Sequence, residues 1–375
     1  MIRLLSIPLF VFLLFASAGA TAQIDSAEAG IRQLMQQAKV AGISVAVVKN
    51  NQLLYTHSFG LKNIESQTPL TDDCLFRIAS ISKSFTATSL MQLVERKKVS
   101  LEDDVSELVG FRVRNPQYPD QKITLKMLLS HKSGINDSQG YFTLDAINPD
   151  KNPNWAKCYN NYAPDGGYMY CNLNFNLAGT ILERLSGERF DQYVKHHILD
   201  PLGLYGGYCV DSLDASRFAT LYEYNADSGR LVAAPMAYAP RSAEIAQYTM
   251  GYSVPIFSPT GGMKISAPDL ARYMMLHMNQ GKTQGKRLIS KKSARLMQTP
   301  YSDKEGYGLA LLQTDSLIPG EKMTGHTGSA YGLYSMMFFQ PKKKFGIVVI
   351  TNGYQSPVPG GLKPFVQCLY KYLIQ

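Results

Sequence analysis

The sequence lacks the features that mark several large classes of protein. Beyond the amino terminus, no apolar run is long enough to span a bilayer. Five cysteines in 375 residues form neither a metal-ligand spacing nor a disulfide scaffold. The formal net charge of +9 is spread along the chain without a basic stripe or recognition motif. We therefore expect no nucleic-acid partner and no metal.

The first 22 residues resemble an export signal. Arg3 precedes an apolar run that extends from Leu4 to about Ala16, and small residues follow up to Ala22. This order predicts a signal peptide over residues 1–22 and a mature domain over residues 23–375. The alternative is an uncleaved anchor, but the run is shorter than the roughly 20 residues that a span needs. We expect a periplasmic or secreted protein with no stable membrane span.

Strand patterns occur near both ends of the mature chain. Two β-rich runs flank Asn50-Asn51 and predict a hairpin, and "LYSMMFFQPKKKFGIVVITNG" predicts a second one. Apolar residues at helical spacing precede the first hairpin and follow the second. The pattern predicts an α/β (α+β) fold, in which helices flank an antiparallel sheet built from both chain ends.

The middle of the chain has a different composition. Residues from about 101 to 248 are rich in Tyr, Asn, Pro and Gly, and they contain three clear helix patterns: "TLKMLLSH", "NFNLAGTILERLSG" and "RFDQYVKHHIL". We predict a helical and loop-rich lobe inserted between the two groups of strands. The absence of a low-complexity linker indicates that the lobe and the sheet form one cooperative unit.

One serine has a lysine three residues after it, which is Ser80 in "RIASISKSF". Residues three apart share a helix face, so the Lys83 amine would lie beside the Ser80 hydroxyl. A serine is a weak nucleophile until a base removes its proton, and a lysine can do so only with a lowered pKa. The alternatives are that Ser80 caps the helix and Lys83 lies on the surface.

Two further segments offer partners for this pair. Tyr170 and Asn172 directly precede a helix pattern and supply a phenol for proton relay and an amide for a substrate or the lysine. "GHTGS" supplies His326, Thr327 and Gly328 at the start of a strand, where the glycine would let a substrate backbone lie close. Tyr159-x-Asn161 is a second Tyr-x-Asn, but no helix pattern follows it directly.

In this order, S-x-x-K, Y-x-N and H-T-G resemble the motifs of the serine β-lactamase and penicillin-binding-protein superfamily. The chain is most similar to the class C-like branch, which includes D-alanyl-D-alanine carboxypeptidases, D-aminopeptidases and esterases. "ITLKMLLSHKSGI" and "SPTGGMKISAPDLARYM" match accessory segments of that branch. The resemblance covers nearly all of the mature chain.

The resemblance implies a role for each motif residue. Ser80 would be the acylated nucleophile, Lys83 its base, and Tyr170 the group that passes the proton to the leaving group. The substrate-binding residues would be Asn172, His326, Thr327, Gly328 and Ser329, with the backbone N–H groups of Ser80 and Ser329 forming the oxyanion hole. Cofactors are not implied. His131, His57, His196, His197 and His277 have no such role and are interpreted as packing residues.

This chain departs from the β-lactamase pattern in two places: His326 stands where lysine is common, and Cys171 where serine is common. No glutamate signature for a class A deacylating water is present. We therefore expect a serine hydrolase acting on a D-amino-acid peptide or another small amide or ester, peptidoglycan fragments included. The alternatives are a β-lactamase and a non-catalytic penicillin- or peptidoglycan-binding protein.

Cys158 and Cys171 lie on either side of a tyrosine-rich loop, with twelve residues between them. We predict that they form a disulfide in an oxidising compartment, which would stabilise the protein by about 3 kcal/mol and fix the approach to Tyr170. The alternative is two separate buried thiols.

Overall fold

A computed structural model of the chain describes residues 9–302, 304–355 and 360–375. Residues 1–8 of the predicted signal peptide lie outside this range, and its cleavage stays a prediction. Ala27 is the first fully buried side chain described. Within the described ranges, no helix combines the length and apolar character needed to cross a membrane.

The described strands and helices alternate along the chain. The strands are β1 (Gly42–Lys49), β2 (Gln52–Asn63), β3 (Thr68–Pro69), β4 (Phe76–Arg77), β5 (Gly206–Gly207), β6 (Tyr222–Asn225), β7 (Arg230–Ala233), β8 (Lys264–Ile265), β9 (Lys282–Thr283), β10 (Lys286–Arg287), β11 (Leu312–Ile318), β12 (Glu321–Ala330), β13 (Leu333–Gln340) and β14 (Phe345–Thr351). The helices are α1 (Leu9–Ala38), α2 (Ser82–Glu95), α3 (Val105–Val109), α4 (Leu125–Leu129), α5 (Asn172–Ser186), α6 (Phe190–Val194), α7 (Asp200–Leu202), α8 (Ser242–Ala246), α9 (Ala267–Met278), α10 (Lys291–Gln298) and α11 (Lys363–Leu369).

The central sheet has seven antiparallel strands in the order β11-β12-β13-β14-β1-β2-β3. Its two halves come from opposite ends of the chain and meet where β1 pairs with β14, with Ile43 opposite Thr351. Both predicted hairpins are present, and Asn50 and Asn51 take the positive φ angles of 53° and 63° that a tight hairpin turn requires. The predicted fold class is therefore confirmed.

Each face of the sheet is covered by helices. Along β1, successive side chains point to opposite faces, so Val45 joins the core beneath α1 and α11, whereas Ala46 joins the core beneath α9. This burial on both faces explains why β1 reads as a continuous apolar run. The sheet is thus the middle layer between two helical layers.

The middle of the chain packs against the α9 side of the molecule. Leu128 of α4 and Ile181 of α5 belong to the same buried cluster as Ala46 of the sheet, so lobe and sheet share one core. The lobe limits of 101 and 248 remain a prediction. A small sheet, β4-β8-β5, pairs Arg77 with Lys264 and brings the 258–265 segment beside the start of α2. This junction is where the candidate site lies.

Candidate active site

Ser80 lies in a 3-10 turn, Ala79–Ile81, that leads directly into α2. Ala79 has a left-handed φ of 47° immediately before the serine. The N-cap position of α2 is Ile81, and no side chain caps this helix. Ser80 Oγ instead accepts a hydrogen bond from Lys83 Nζ at 3.1 Å. The capping alternative therefore does not hold, and the amine lies beside the hydroxyl as the spacing predicts.

Lys83 is completely buried. Besides Ser80 Oγ, its amine donates to Asn172 Oδ1 at 2.9 Å and to the carbonyl oxygen of Thr260 at 3.0 Å. Burial disfavours the charged amine and lowers its pKa from 10.5 to about 7, although the charge of Asp137 opposes the shift. A large share of the lysine is therefore neutral near pH 7, and the surface alternative for Lys83 is wrong.

Asn172 is the first residue of α5, and both ends of its amide contact protein groups. Its Oδ1 accepts from Lys83 and also from Thr260 Oγ1 at 2.8 Å. Its Nδ2 donates to Asp137 Oδ2 at 3.0 Å, which fixes the orientation of the amide because a carboxylate only accepts. Of the two roles that the sequence leaves open for this amide, the structure shows the one that holds the lysine.

Tyr170 stands at the mouth of the site. Lys83 Nζ lies 4.7 Å from the centre of its ring, and its hydroxyl is on the side of Ser80, whose polar contact partly opposes the rise in the pKa of the phenol. The side chain exposes 36% of its surface to the cleft, yet the surrounding protein raises the pKa of the phenol above its usual value. Tyr170 is therefore protonated at neutral pH. The alternative Tyr159-x-Asn161 pair does not line the cleft.

His326 on β12 is buried in the wall of the cleft. Its Nδ1 bonds the carbonyl oxygen of Thr327, and its Nε2 lies 2.9 Å from the Tyr307 hydroxyl. A carbonyl oxygen only accepts, so Nδ1 carries the proton and Nε2 accepts from the tyrosine. Burial, helped by the nearby charge of Lys83, lowers the pKa of His326 from 6.5 to about 3. The imidazole is therefore neutral at pH 7.

Gly328 lies against the nucleophile turn. A Cβ added there would lie 2.3 Å from the carbonyl oxygen of Ile78 and 3.1 Å from Ala79 Cβ. Ser335 on the neighbouring strand donates to the same Ile78 oxygen at 3.0 Å. We expected the glycine to make room for a substrate backbone. That role stays a prediction, and the structure adds a second reason for the glycine, because the missing side chain makes room for the turn that carries Ser80.

Within the described residues, one edge of β12 beside the nucleophile has no partner strand. β11 pairs with β12 only as far as Gly325, opposite Leu312, and residues 326–330 line the cleft beyond that point. An exposed strand edge can pair with an extended substrate. The predicted oxyanion hole between the N–H groups of Ser80 and Ser329 would lie at this edge and remains a prediction.

The cleft has a volume of about 850 Å³. Seven of the eight predicted site residues line it, and the eighth, Lys83, is buried beneath them. Most of its large side chains are aromatic: Tyr141, Phe142, Tyr168, Tyr170, Tyr307, Tyr331 and Tyr334. Apart from the tyrosines and His326, the ionisable side chains that line the cleft are Arg77, Glu223 and Glu305. The floor is thus polar and the walls are flat and apolar.

The predicted disulfide between Cys158 and Cys171 is wrong. All five cysteines are free thiols. Cys158 Sγ contacts the carbonyl oxygen of Ala146 at 3.2 Å, whereas Cys171 Sγ contacts Asp137 Oδ1 at 3.1 Å. Each thiol therefore has its own polar partner, and the alternative of two separate buried thiols is correct.

The other five histidines do not line the cleft. The packing interpretation holds for the buried His131 and His277, whereas His196 is exposed and bonds Glu188. His131 comes nearest, because its buried ring lies 4.3 Å from the Tyr170 ring and its Nδ1 accepts from the backbone N–H of Cys171 at 3.2 Å. It therefore packs against the back of the Tyr170 ring. His277 bonds Tyr273 in the core, and the others lie farther out.

Sequence reasoning missed three residues that complete the site. Thr260 lies in the quoted "SPTGGMK" segment, and Asp137 comes two residues after "ITLKMLLSHKSGI", so both had a nearby signal. Tyr307, the partner of His326, had none. Each reaches the site through a contact with a residue distant in the chain.

Comparison with known proteins agrees with this geometry. The family described as Beta-lactamase matches residues 27–367, and the chain belongs to this family. Penicillin-binding protein 4 of Amycolatopsis lactamdurans is 28% identical over 333 residues, which are 84% of this chain and 81% of that protein. This places the chain in the superfamily of β-lactamase-like serine hydrolases, as the motifs predict.

Solved structures agree with the fold. The octameric penicillin-binding protein homologue from Pyrococcus abyssi has a TM-score of 0.75 at 28% identity, covering 93% of this chain and 77% of that one. EstCE1, a hydrolase with promiscuous acyltransferase activity, has a TM-score of 0.75 at 18% identity, with 95% and 99% covered. The D-amino acid amidase from Ochrobactrum anthropi SV3 has a TM-score of 0.73 at 19% identity, with 93% and 99% covered. The last two likenesses concern the fold alone.

Proposed function

We propose that this protein is an exported serine hydrolase that forms an acyl-enzyme on Ser80. The observation that carries the proposal is the set of partners around the Lys83 amine. Asn172 Oδ1 and the Thr260 carbonyl can only accept hydrogen bonds. In the protonated form the third hydrogen of the ammonium group donates to Ser80 Oγ. The neutral amine has two hydrogens, and these two oxygens bind both. Its lone pair then faces Ser80 Oγ, as a base for that hydroxyl requires.

The first half-reaction follows from this arrangement. Neutral Lys83 takes the proton of Ser80 as Oγ attacks the substrate carbonyl, and the N–H groups of Ser80 and Ser329 stabilise the oxyanion. The tetrahedral intermediate collapses when the leaving nitrogen or oxygen receives a proton. Tyr170 supplies it, since its phenol is protonated and on the side of Ser80, and Lys83 restores the phenol. Water then hydrolyses the ester by the reverse sequence.

The proposed substrates are D-amino-acid peptides or other small amides and esters. A neutral His326 gives the β12 edge no fixed positive charge for an anionic substrate tail. Among the structural neighbours, one is by name a D-amino acid amidase and another a hydrolase with promiscuous acyltransferase activity, which supports the same class here. The aromatic walls offer flat apolar surface to a substrate side chain.

Covalent labelling tests the acyl-enzyme. The protein is incubated with a fluorophosphonate or a labelled penicillin, and the adduct is located by mass spectrometry. We expect the mass increase on the peptide that contains Ser80, and none in Ser80→Ala. An adduct on another residue, or no adduct with either reagent, would contradict the proposal and favour a binding protein.

A substrate panel tests the class. The panel contains a D-Ala-D-Ala peptide, a D-amino-acid amide, a short-chain ester and nitrocefin. We expect turnover of at least one of the first three and slow or absent turnover of nitrocefin. Rapid nitrocefin turnover would identify a β-lactamase instead.

Export is tested on the same protein. Because the first fully buried side chain described is Ala27, removal of residues 1–22 leaves the described core intact. We expect the exported protein to begin at Gln23. A full-length chain held in the membrane would contradict this part of the proposal.

A further inference from the structure

Asp137 has no role in the mechanism above, yet its carboxylate accepts four hydrogen bonds at the start of α5, beside the site. One carboxylate oxygen accepts from the backbone N–H of Asn172 at 2.8 Å and from its Nδ2 at 3.0 Å. The other accepts from the backbone N–H of Leu173 at 2.9 Å and from Cys171 Sγ at 3.1 Å. Four donors from three consecutive residues therefore converge on one carboxylate.

These contacts do two things. The two backbone bonds satisfy N–H groups at the start of α5, which has no side-chain cap of its own at Cys171. The bond from Asn172 Nδ2 determines which way the amide points, so that Oδ1 faces Lys83. A residue that only capped the helix would not need the bond from the Asn172 side chain.

The loop that carries Asp137 is itself fixed against α5. His131 Nδ1 accepts from the backbone N–H of Cys171 at 3.2 Å, and Ser133 Oγ donates to Asn174 Oδ1 at 2.8 Å. Hydrogen bonds from residues 131 and 133 to the start of α5 thus hold the loop, and with it Asp137, in place. A carboxylate held this firmly can transmit its position to the amide and, through the amide, to the amine.

We propose that Asp137 is a positioning residue, which fixes the Asn172 amide so that the Lys83 amine presents its lone pair to Ser80. This inference rests on the proposed acyl-enzyme chemistry and adds a residue to it. Asp137 does not touch the substrate. Its positioning effect on the amine is exerted through the Asn172 amide, and this dependence is what distinguishes positioning from a general structural role.

The charge of Asp137 also acts on the lysine. The titratable groups that face the Lys83 amine are Asp137, Cys171, Tyr170, His131 and His326. Burial raises the pKa values of the thiol and the phenol and lowers those of both imidazoles, so these four are neutral near pH 7. Among the described groups around the amine, Asp137 therefore supplies the only negative charge. Its removal should lower the pKa of Lys83 further.

The experiment measures the second-order rate of Ser80 labelling by a fluorophosphonate between pH 5 and 10, which needs no knowledge of the natural substrate. The variants are Asp137→Ala, Asp137→Asn, Asn172→Ala and the double variant with both alanines. Ser290→Ala is the matched control, because Ser290 caps α10 by accepting from the backbone N–H of Ser293 at 3.1 Å and does not line the cleft.

We expect Asp137→Ala to slow labelling by up to about a hundredfold, as misplacement of a catalytic group can do. On the alkaline plateau the amine is neutral and the charge of Asp137 no longer limits the rate. There the double variant should label as slowly as Asn172→Ala, within about twofold, because Asp137 positions the amine through that amide. Asp137→Asn keeps the size of the side chain and should move the acid limb of the pH profile to lower pH. Ser290→Ala should lower the melting temperature while leaving rate and profile unchanged.

Two results would overturn the inference. One is an Asp137→Asn protein, or a folded Asp137→Ala protein, with the rate and acid limb of the parent. The other is a double variant whose loss is the product of the two single losses, which would mean that Asp137 acts independently of Asn172. A parent protein that is not labelled at all would overturn the acyl-enzyme proposal itself, so the two failures are distinguishable.

Discussion

Lys83 must lose a proton before it can act as a base, so the pH dependence of Ser80 acylation tests the mechanism directly. Burial lowers the pKa of this lysine from 10.5 to about 7. One pH unit below the pKa about a tenth of the amine is neutral, and one unit above it about nine tenths is neutral. We therefore expect the acylation rate to rise about tenfold per pH unit in the acid range and to level off near pH 8, on the alkaline side of neutrality.

The other groups of the site titrate elsewhere. The pKa of His326 is lowered to about 3 by burial, so its titration falls below the range of the experiment. The pKa of Tyr170 is raised above its usual value of 10.0, so a decline due to the phenolate would begin only at high pH. A single rise near neutral pH is thus assigned to Lys83.

The assay is the initial rate of fluorophosphonate labelling, because this reagent carries no group that titrates in the range. Circular dichroism at each pH shows that the protein remains folded. Lys83→Ala is the control and should react far more slowly, without the acid limb. A rate that keeps rising about tenfold per unit beyond pH 9, as a lysine with its ordinary pKa would give, would refute the argument.

Three further substitutions test other parts of the site. Ser80→Ala should abolish labelling and turnover while changing the melting temperature little, since Ser80 caps no helix; a folded variant with full activity would refute the mechanism. Gly328→Ala should cost about 1–3 kcal/mol of stability, because the new Cβ would lie 2.3 Å from a backbone oxygen, and should slow labelling. Gly207→Ala, whose nearest contact would be at 3.7 Å, is the control in chemical denaturation, and equal losses in the two variants would contradict the reasoning. His326→Lys should raise the kcat/KM ratio of a carboxylate-bearing substrate to its amide analogue, and an unchanged ratio would count against a neutral His326 as the cause of the preference.

Much of the fold could be predicted because the signals are local. Alternation of apolar residues and the Asn50-Asn51 turn define the first hairpin, and the charged turn in "PKKKF" defines the second. The S-x-x-K spacing fixes the contact between Ser80 and Lys83 because both lie on one helical turn. Each of these features depends on residues close together in the chain.

The errors of sequence reasoning have the opposite origin. The disulfide was inferred from a short loop, but sequence separation does not determine where two side chains point, and each thiol faces a different oxygen. The crowding at Gly328 could not be predicted because it comes from Ile78, on a turn 250 residues earlier in the sequence. Tyr307 could not be connected to His326 because no pattern within either segment refers to the other.

The chemistry of Lys83 is the clearest case of a property that no single segment contains. The helix puts the amine beside Ser80, but its other two partners come from residues 89 and 177 positions away along the chain. Burial by these segments lowers the pKa, and the acceptor oxygens direct the lone pair. An isolated α2 would therefore present an ordinary, fully charged lysine next to an unreactive serine. It follows that a substitution that loosens the 258–262 segment or the start of α5 should reduce acylation before it unfolds the protein, with an acid limb moved toward higher pH as the amine regains solvent.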